Sequence, residues 1–544
     1  MFNTSEIIPA YSQLSERCLL QSASWIIQFL ITDPSTDISK KTIKMKPRNP
    51  IFMISQELFS LGQFQKVAFT LKDCDINDQC SIGLKFLSKL LDMQREIDQK
   101  VPDNATFLGS LPVSGNSNYD SYSTLIQEMT PLFENNQLDS LNLYIYASVL
   151  AKGGRYKDAI PILINSINGF PLNKSAFNLL LSILLRFDTD FILKAIESFN
   201  EEIKNHWMTV FFKIELFAEI QKADEVSLHL LEDVLKSELK VPRNSSVIAL
   251  EARVHYHRND FDCSQPLFEE LRKIDPLHLE TLELYSNILY VKQDIAALSE
   301  LSQSLSQINK FRPETLAVSG NFYAINGHHD EAISNLAMAL RQDSSFYFAW
   351  TLIGHEFVEL DNITAALSAY SKAYEVNQHD FRAIYGIGRV YELTKMQFHA
   401  VFHYRKAVLV NPNDWRMWTT LGNCYEKLSE LDNSLICFRK AAKLKNCDII
   451  VYYKLGVNYL SRAENEMAAF FFEKFIDLAK PGNPPPPRVI MQQDRIKEVR
   501  DAFSKLISYY TAIGNNNKVE DFNRRQNDFE SDFSDIDANS SSTM

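Results

Sequence analysis

FRAIYGIGRVYELTKMQFHAVFHYRKAVLVNPND, residues 381–414, runs straight into WRMWTTLGNCYEKLSELDNSLICFRKAAKLKNCD, residues 415–448, and the two stretches align column by column. The same 34-residue register holds for copies that begin at Pro313, Tyr347 and Ile449. Counting from each start, position 4 reads Leu316, Trp350, Ile384, Trp418 and Tyr452, and position 11 reads Tyr323, Phe357, Tyr391, Tyr425 and Tyr459. Position 8 is glycine throughout: Gly320, Gly354, Gly388, Gly422 and Gly456. Glycine inside a helix costs about 1 kcal/mol relative to alanine, so its recurrence at one phase implies that a bulky neighbour presses there. Position 24, with Leu336, Tyr370, Tyr404, Phe438 and Phe472, supplies that neighbour, while position 20 stays small. Within each copy the apolar residues fall at three- and four-residue intervals in two segments, the pattern of two amphipathic helices joined by a short turn.

One helical hairpin cannot cover its own apolar face, so such copies stack and each buries the next. The spacing and column pattern match the tetratricopeptide repeat. The expected fold is therefore an all-α tetratricopeptide-repeat α-solenoid, a right-handed superhelix of helical hairpins. Degraded copies extend upstream, with Leu143, Tyr146, Ala147, Leu150, Ala159, Leu163 and Pro171 in phase, and again Ile248, Ala252, Ser264, Phe268, Leu271 and Pro276. The domain reading is a helical amino-terminal region at 1–98, a flexible insertion at 99–123, and a degenerate array at 124–312. Regular repeats follow at 313–482, then a proline-rich break and capping helix at 483–520 and a disordered acidic tail at 521–544. The break rests on PGNPPPP, Pro481–Pro487, because proline lacks the amide donor and clashes with the preceding turn.

With 16 Gly and 19 Pro in 544 residues, the chain is poor in the residues that hairpin-rich β folds need. The net charge of −12 offers no global attraction to nucleic acid or anionic lipid, so neither is an expected partner. No secretory signal is read at the start and no apolar run approaches the roughly 20 residues of a membrane span. Seven cysteines lie scattered without CxxC spacing, which reads as reduced, structural thiols. No cofactor and no metal are expected. Gly386-Ile-Gly388 lacks the rest of a dinucleotide fingerprint, and His399 with His403 lacks the glutamate of a zinc-protease helix. His328-His329-Asp330 falls at a hairpin turn, where polar residues are ordinary, and Cys424 and Cys437 have no histidine partner in sequence. Nothing here reads as an enzyme.

Stacked hairpins recognise extended peptides through the first helix of each pair, at positions that point away from the stacking face. The candidate groove residues are Asn321, His355, Arg389 and Asn423, all at position 9, with the carboxylates Glu392 and Glu426 nearby on their helices. The amides and imidazole can hydrogen-bond a peptide backbone, and the carboxylates can accept a ligand arginine. Thr351, Glu359, Arg382, Tyr385, Arg416 and Thr419 fall at related groove positions; a solvated charged face is the alternative for each.

Residues 350–428, with GHEF, YGIGRVYEL-x-KM and NPND-x-RM, and LSERCLLQSASWIIQFL at residues 14–30, resemble the family of the anaphase-promoting complex's eighth subunit. The resemblance implies a non-catalytic scaffold subunit of a cell-cycle ubiquitin ligase, located in the nucleus and cytoplasm. It implies a homodimer joined through amino-terminal repeats, contacts with the complex's other subunits, and a carboxy-terminal groove for the arginine-containing C-box of a Cdc20-type coactivator. On that reading Asn321, His355, Arg389, Glu392, Asn423 and Glu426 carry the coactivator contact. A generic repeat adaptor or co-chaperone is the alternative, but a clamp for an acidic terminus is disfavoured by the glutamates in the groove.

Overall fold

Pro313, Tyr347, Phe381 and Trp415 each open a helix in the computed structural model, and the fifth copy's first helix opens one residue after Ile449. The structure describes residues 4–31, 50–72, 75, 78–100, 122–220, 229–231, 241–444, 447–479 and 489–540. Among these there are 28 helices and no strand. The five regular copies are the pairs Pro313–Ile325 with His329–Gln342, Tyr347–Glu359 with Ile363–Val376, and Phe381–Leu393 with Gln397–Val410, then Trp415–Lys427 with Leu431–Lys443 and Ile450–Ser461 with Asn465–Leu478. The chain is a tetratricopeptide-repeat helical solenoid.

Each pair is closed by the same device. Position 15 is left-handed in all five copies, with φ of 77° at Gly327, 55° at Asp361, 61° at Lys395, 62° at Ser429 and 59° at Ala463. That residue turns the chain so that the next amide reaches back to the position 11 carbonyl, as in Asn362 N to Phe357 O at 2.8 Å and Met396 N to Tyr391 O at 2.8 Å. This is the six-to-one bond of a Schellman ending.

The glycine column is a packing requirement. A Cβ built on Gly354 would lie 2.4 Å from the Tyr370 ring, one on Gly422 2.6 Å from Phe438, and one on Gly456 2.6 Å from Phe472. Tyr370 is pressed from two sides, since a Cβ on Gly386 would lie 2.5 Å from the same ring.

By compactness the chain divides into two units, residues 1–386 and 387–544, so the five regular copies, one block in the sequence reading, are shared between them. In the first unit the array winds far enough for distant repeats to meet. Gln378 N donates to Leu185 O at 3.0 Å, and the His379 imidazole lies 2.9 Å from Phe187 O. The opening helices Thr4–Glu16 and Leu20–Ile31 pack against the array through Ile7, Leu14, Ile26 and Phe29. Arg17 pairs with Asp139, the Ser22 hydroxyl donates to Asn173 at 2.8 Å, and Trp25 meets the edge of Phe211 at 5.3 Å. A smaller core of Phe52, Val67, Leu71, Cys80 and Leu84 holds Pro50–Ser60, Phe64–Thr70 and the start of Gln79–Lys100 together.

In the second unit, Val489–Ile513 covers the last repeat with Val499, Phe503 and Leu506. Of the tail expected to be disordered from Asp521, residues 521–540 are instead part of a helix, Asn516–Ser540, and 541–544 lie outside the described residues. The reason lies in its aromatic residues: Phe522 stacks on Tyr510 at 5.8 Å and Phe529 packs on Phe503 at 6.2 Å, a spacing of seven that keeps both on one face. Most of the expected insertion, and PGNPPPP, lie outside the described residues.

Candidate functional site

The groove residues chosen from sequence have different fates in the two units. In the first, Asn321 is buried and its amide donates to Ser286 Oγ at 2.8 Å. His355 Nδ1 lies 2.7 Å from the Tyr370 hydroxyl, whose ring fills the gap left by Gly354. The Thr351 hydroxyl donates to buried Asp380 at 2.8 Å. These position 9 and position 5 side chains tie neighbouring helices to each other.

In the second unit Arg389 is exposed and Asn423, Glu426 and Glu392 are half-buried. Glu392 accepts from the Tyr404 hydroxyl at 2.8 Å and from Lys427 Nζ at 2.6 Å. Burial pushes the neighbouring Cys424 thiol up to about 12, with the Glu392 charge adding to it, so this sulfur is held as a thiol. Burial also raises the Glu426 carboxyl, against the pull of Lys454 and the Asn458 amide. Asn423 Oδ1 and Asn458 Oδ1 are buried without hydrogen-bond partners. The helix Trp415–Lys427 thus carries a carboxylate with raised proton affinity and an unused amide oxygen one turn apart. A guanidinium or a run of backbone N–H groups would satisfy both.

The histidine pairs weighed for metal are engaged elsewhere. His399 and His403 stack on the Tyr391 ring at 5.3 and 5.4 Å, and His329 Nδ1 lies 2.7 Å from Glu356. Among the described residues one trio, His255, Asp260 and Cys263, places its ligand atoms within 4.8 Å of one another at a hairpin turn, with Asp260 and Cys263 exposed.

The first unit also holds a buried ionic lining that spacing gave no reason to single out. Lys174 Nζ meets Glu215 at 2.5 Å and lies over the rings of Phe211 and Trp25, at 4.6 and 5.3 Å; Arg253 approaches the other Glu215 oxygen at 3.6 Å. Burial alone would raise the Glu219 carboxyl, but His257, Arg253 and the Tyr347 hydroxyl, 2.8 Å away, hold it down at about 2. Arg382 lies over Phe348 and bonds Asp380 at 2.9 Å and the Tyr256 hydroxyl at 3.1 Å. Glu283 behaves oppositely to Glu219: burial, with the nearby Glu314 charge, pushes it up to about 8. A cavity beside this lining is bordered by Trp25, Lys174, Glu215, Arg253, His278 and Thr281, and Arg253 Nε, His278 Nε2 and Thr281 Oγ1 are buried without partners. The one available signal was the groove register, which had already placed Arg382.

Residues 4–238 match the family model described as anaphase promoting complex subunit 8 / Cdc23, and residues 416–446 match a tetratricopeptide repeat model. The chain is similar to the anaphase-promoting complex subunit 8 of Arabidopsis thaliana, 28% identical over 403 residues covering 66% of each chain. It is 33% identical over 247 residues to subunit 8 of Dictyostelium discoideum, covering 45% of this chain and 40% of that one. To the anaphase-promoting complex subunit CDC23 of Saccharomyces cerevisiae it is 26% identical over 369 residues, 58% of each. The matched region thus spans between 40% and 66% of these relatives' own lengths.

Proposed function

We propose, from the premise that the chain belongs to the anaphase promoting complex subunit 8 / Cdc23 family, that it is a non-catalytic scaffold subunit of that cell-cycle ubiquitin ligase. The observation that carries this is the match of residues 4–238 to a model specific to this subunit, because the repeat alone is shared by adaptors of many kinds. In this reading the chain binds other subunits of the complex, pairs with a second copy through its amino-terminal repeats, and works in the nucleus and cytoplasm. Its carboxy-terminal groove takes the basic C-box of a Cdc20-type coactivator. Support for the last point comes from Glu426, Asn423 and exposed Arg389, which offer an acceptor for a guanidinium beside groups that suit a peptide backbone.

The test is purification of the tagged chain from mitotic extract, with mass spectrometry of what accompanies it. A Glu426→Lys variant runs in parallel. Glu392→Lys is the poorer choice, because it would also break the bonds to Tyr404 and Lys427. Recovery of cullin- and RING-containing subunits by both proteins, with the coactivator reduced only for Glu426→Lys, is the expected result. Absence of ligase subunits from both samples overturns the scaffold reading; equal coactivator in both overturns the groove assignment alone.

A further inference from the structure

On the outer side of the last three repeats, position 22 of the second helix carries Phe402, Ile436 and Phe470, which are 65%, 51% and 56% exposed. The same position in the two preceding repeats is Ser334 and Ser368, both exposed. One turn further along each helix, position 26 carries Lys406, Lys440 and Lys474. Two rows therefore run side by side across three successive second helices, Gln397–Val410, Leu431–Lys443 and Asn465–Leu478, one apolar and one cationic. Exposed Phe398 and Leu409 lengthen the apolar row on the first of them.

Two of the three lysines are held in place by aromatic rings. Lys440 Nζ sits 4.4 Å above the Trp418 ring and Lys474 Nζ 4.4 Å above Tyr452, both rings at position 4 of their repeats. The opposite border, position 18, is Phe398, Asp432 and Glu466, and Asp432 is paired with Arg462. An apolar strip with a cationic border on one side and an acidic or apolar border on the other recognises a partner in one orientation. Large apolar side chains exposed at one phase of three successive repeats, where the two preceding repeats carry serine, mark an interaction surface.

We infer that this outer face of residues 397–477 docks an amphipathic segment of a different protein, whose apolar residues are bordered on one side by aspartate or glutamate. Its acidic border lies along Lys406, Lys440 and Lys474. A membrane is the weaker occupant, since five apolar side chains give little insertion and the net charge of −12 opposes anionic lipid. The inference concerns the second helices of these repeats and does not depend on the groove or on the family reading.

The test places the photo-crosslinking residue p-benzoylphenylalanine at 402, 436 or 470 of the full chain in cells, with 334 and 368 as controls, and sequences the captured segment by mass spectrometry. The expected result is one common segment from all three positions, absent from the controls, with Asp or Glu within one helical turn of the captured apolar residue. Capture falls roughly tenfold when Lys406→Glu, Lys440→Glu and Lys474→Glu are combined in a chain with an unchanged thermal melt. Should that combination unfold, Lys440→Gln alone, with a smaller loss of capture, takes its place. Capture no greater than at 334 and 368, a segment without acidic residues, lipid, a second copy of this chain, or insensitivity to the lysine changes each overturns it.

Discussion

The polar side chains that line the interior of the first unit and those on the groove positions of the second are in opposite circumstances. Lys174, Glu215, Glu219, Arg253 and Arg382 are buried or half-buried and each is paired within the fold, Lys174 and Arg253 with Glu215 and Arg382 with Asp380, whereas Arg389, Asn423 and Glu426 retain access to solvent. The first set behaves as part of a core that happens to be ionic, where each charge is tolerated because its partner is fixed. The second behaves as a surface. A charged residue at a groove position is therefore evidence of recognition only where the array leaves it uncovered, and register alone does not say where that is.

The sharpest way to break the comparison is to unpair a buried charge. Lys174→Met leaves Glu215 with only the more distant Arg253, and removing one member of a buried pair costs about 3–5 kcal/mol. Urea denaturation of the full chain should show the first unit unfolding at much lower denaturant than in the wild type.

A second prediction uses protons. Glu283 titrates near 8 in the folded chain against an ordinary value of 4.5, so between those values the folded state holds a proton that the unfolded state releases. Stability from this residue is complete below pH 4.5 and is lost as pH rises towards 8. Glu219 works the other way, its contribution present above pH 4.5 and lost as pH falls towards 2. Denaturation midpoints at pH 5, 6.5 and 8 should therefore decline for the wild type, and Glu283→Gln should flatten the decline.

Smaller effects come from packing and from the open surface. Gly354→Val forces the Tyr370 ring to move although it is fully buried and bonded to His355, and overpacking of this kind costs about 1–3 kcal/mol, visible as a lowered thermal midpoint. Glu426→Gln, on the accessible groove, should change stability by no more than about 0.5 kcal/mol in the same assay. A large loss there would mean that the second unit's groove is as structural as the first's.

The regular repeats were legible to the residue: four of the five first helices begin where the 34-residue count places them, and the glycine and bulky columns meet as expected. That success has a local cause, since positions 8 and 24 belong to one hairpin and contact each other whatever the array does. The ionic lining was not legible, because Lys174 and Glu215 are 41 residues apart and Tyr347 and Glu219 are 128 apart. The second meeting depends on how far the array curves, a quantity summed over many repeats, and the first on irregular repeats whose register the sequence count does not reach. Asn321 shows the same limit: its column placed it in a groove, but the neighbouring Ser286 took its amide. The tail was misread because acidic composition outweighed the two phenylalanines that anchor it.

The hydrogen bonds from Gln378 and His379 back to Leu185 and Phe187 join residues 193 and 192 positions apart. A plain solenoid can gain or lose a repeat during evolution, because each copy knows only its neighbours. Here a deletion of one repeat between those ends would carry the donors past their acceptors by a whole hairpin. The number of repeats in the first unit is thus counted by its own closure, and the same closure obliges late, long-range pairing during folding where an open array could zip from any point.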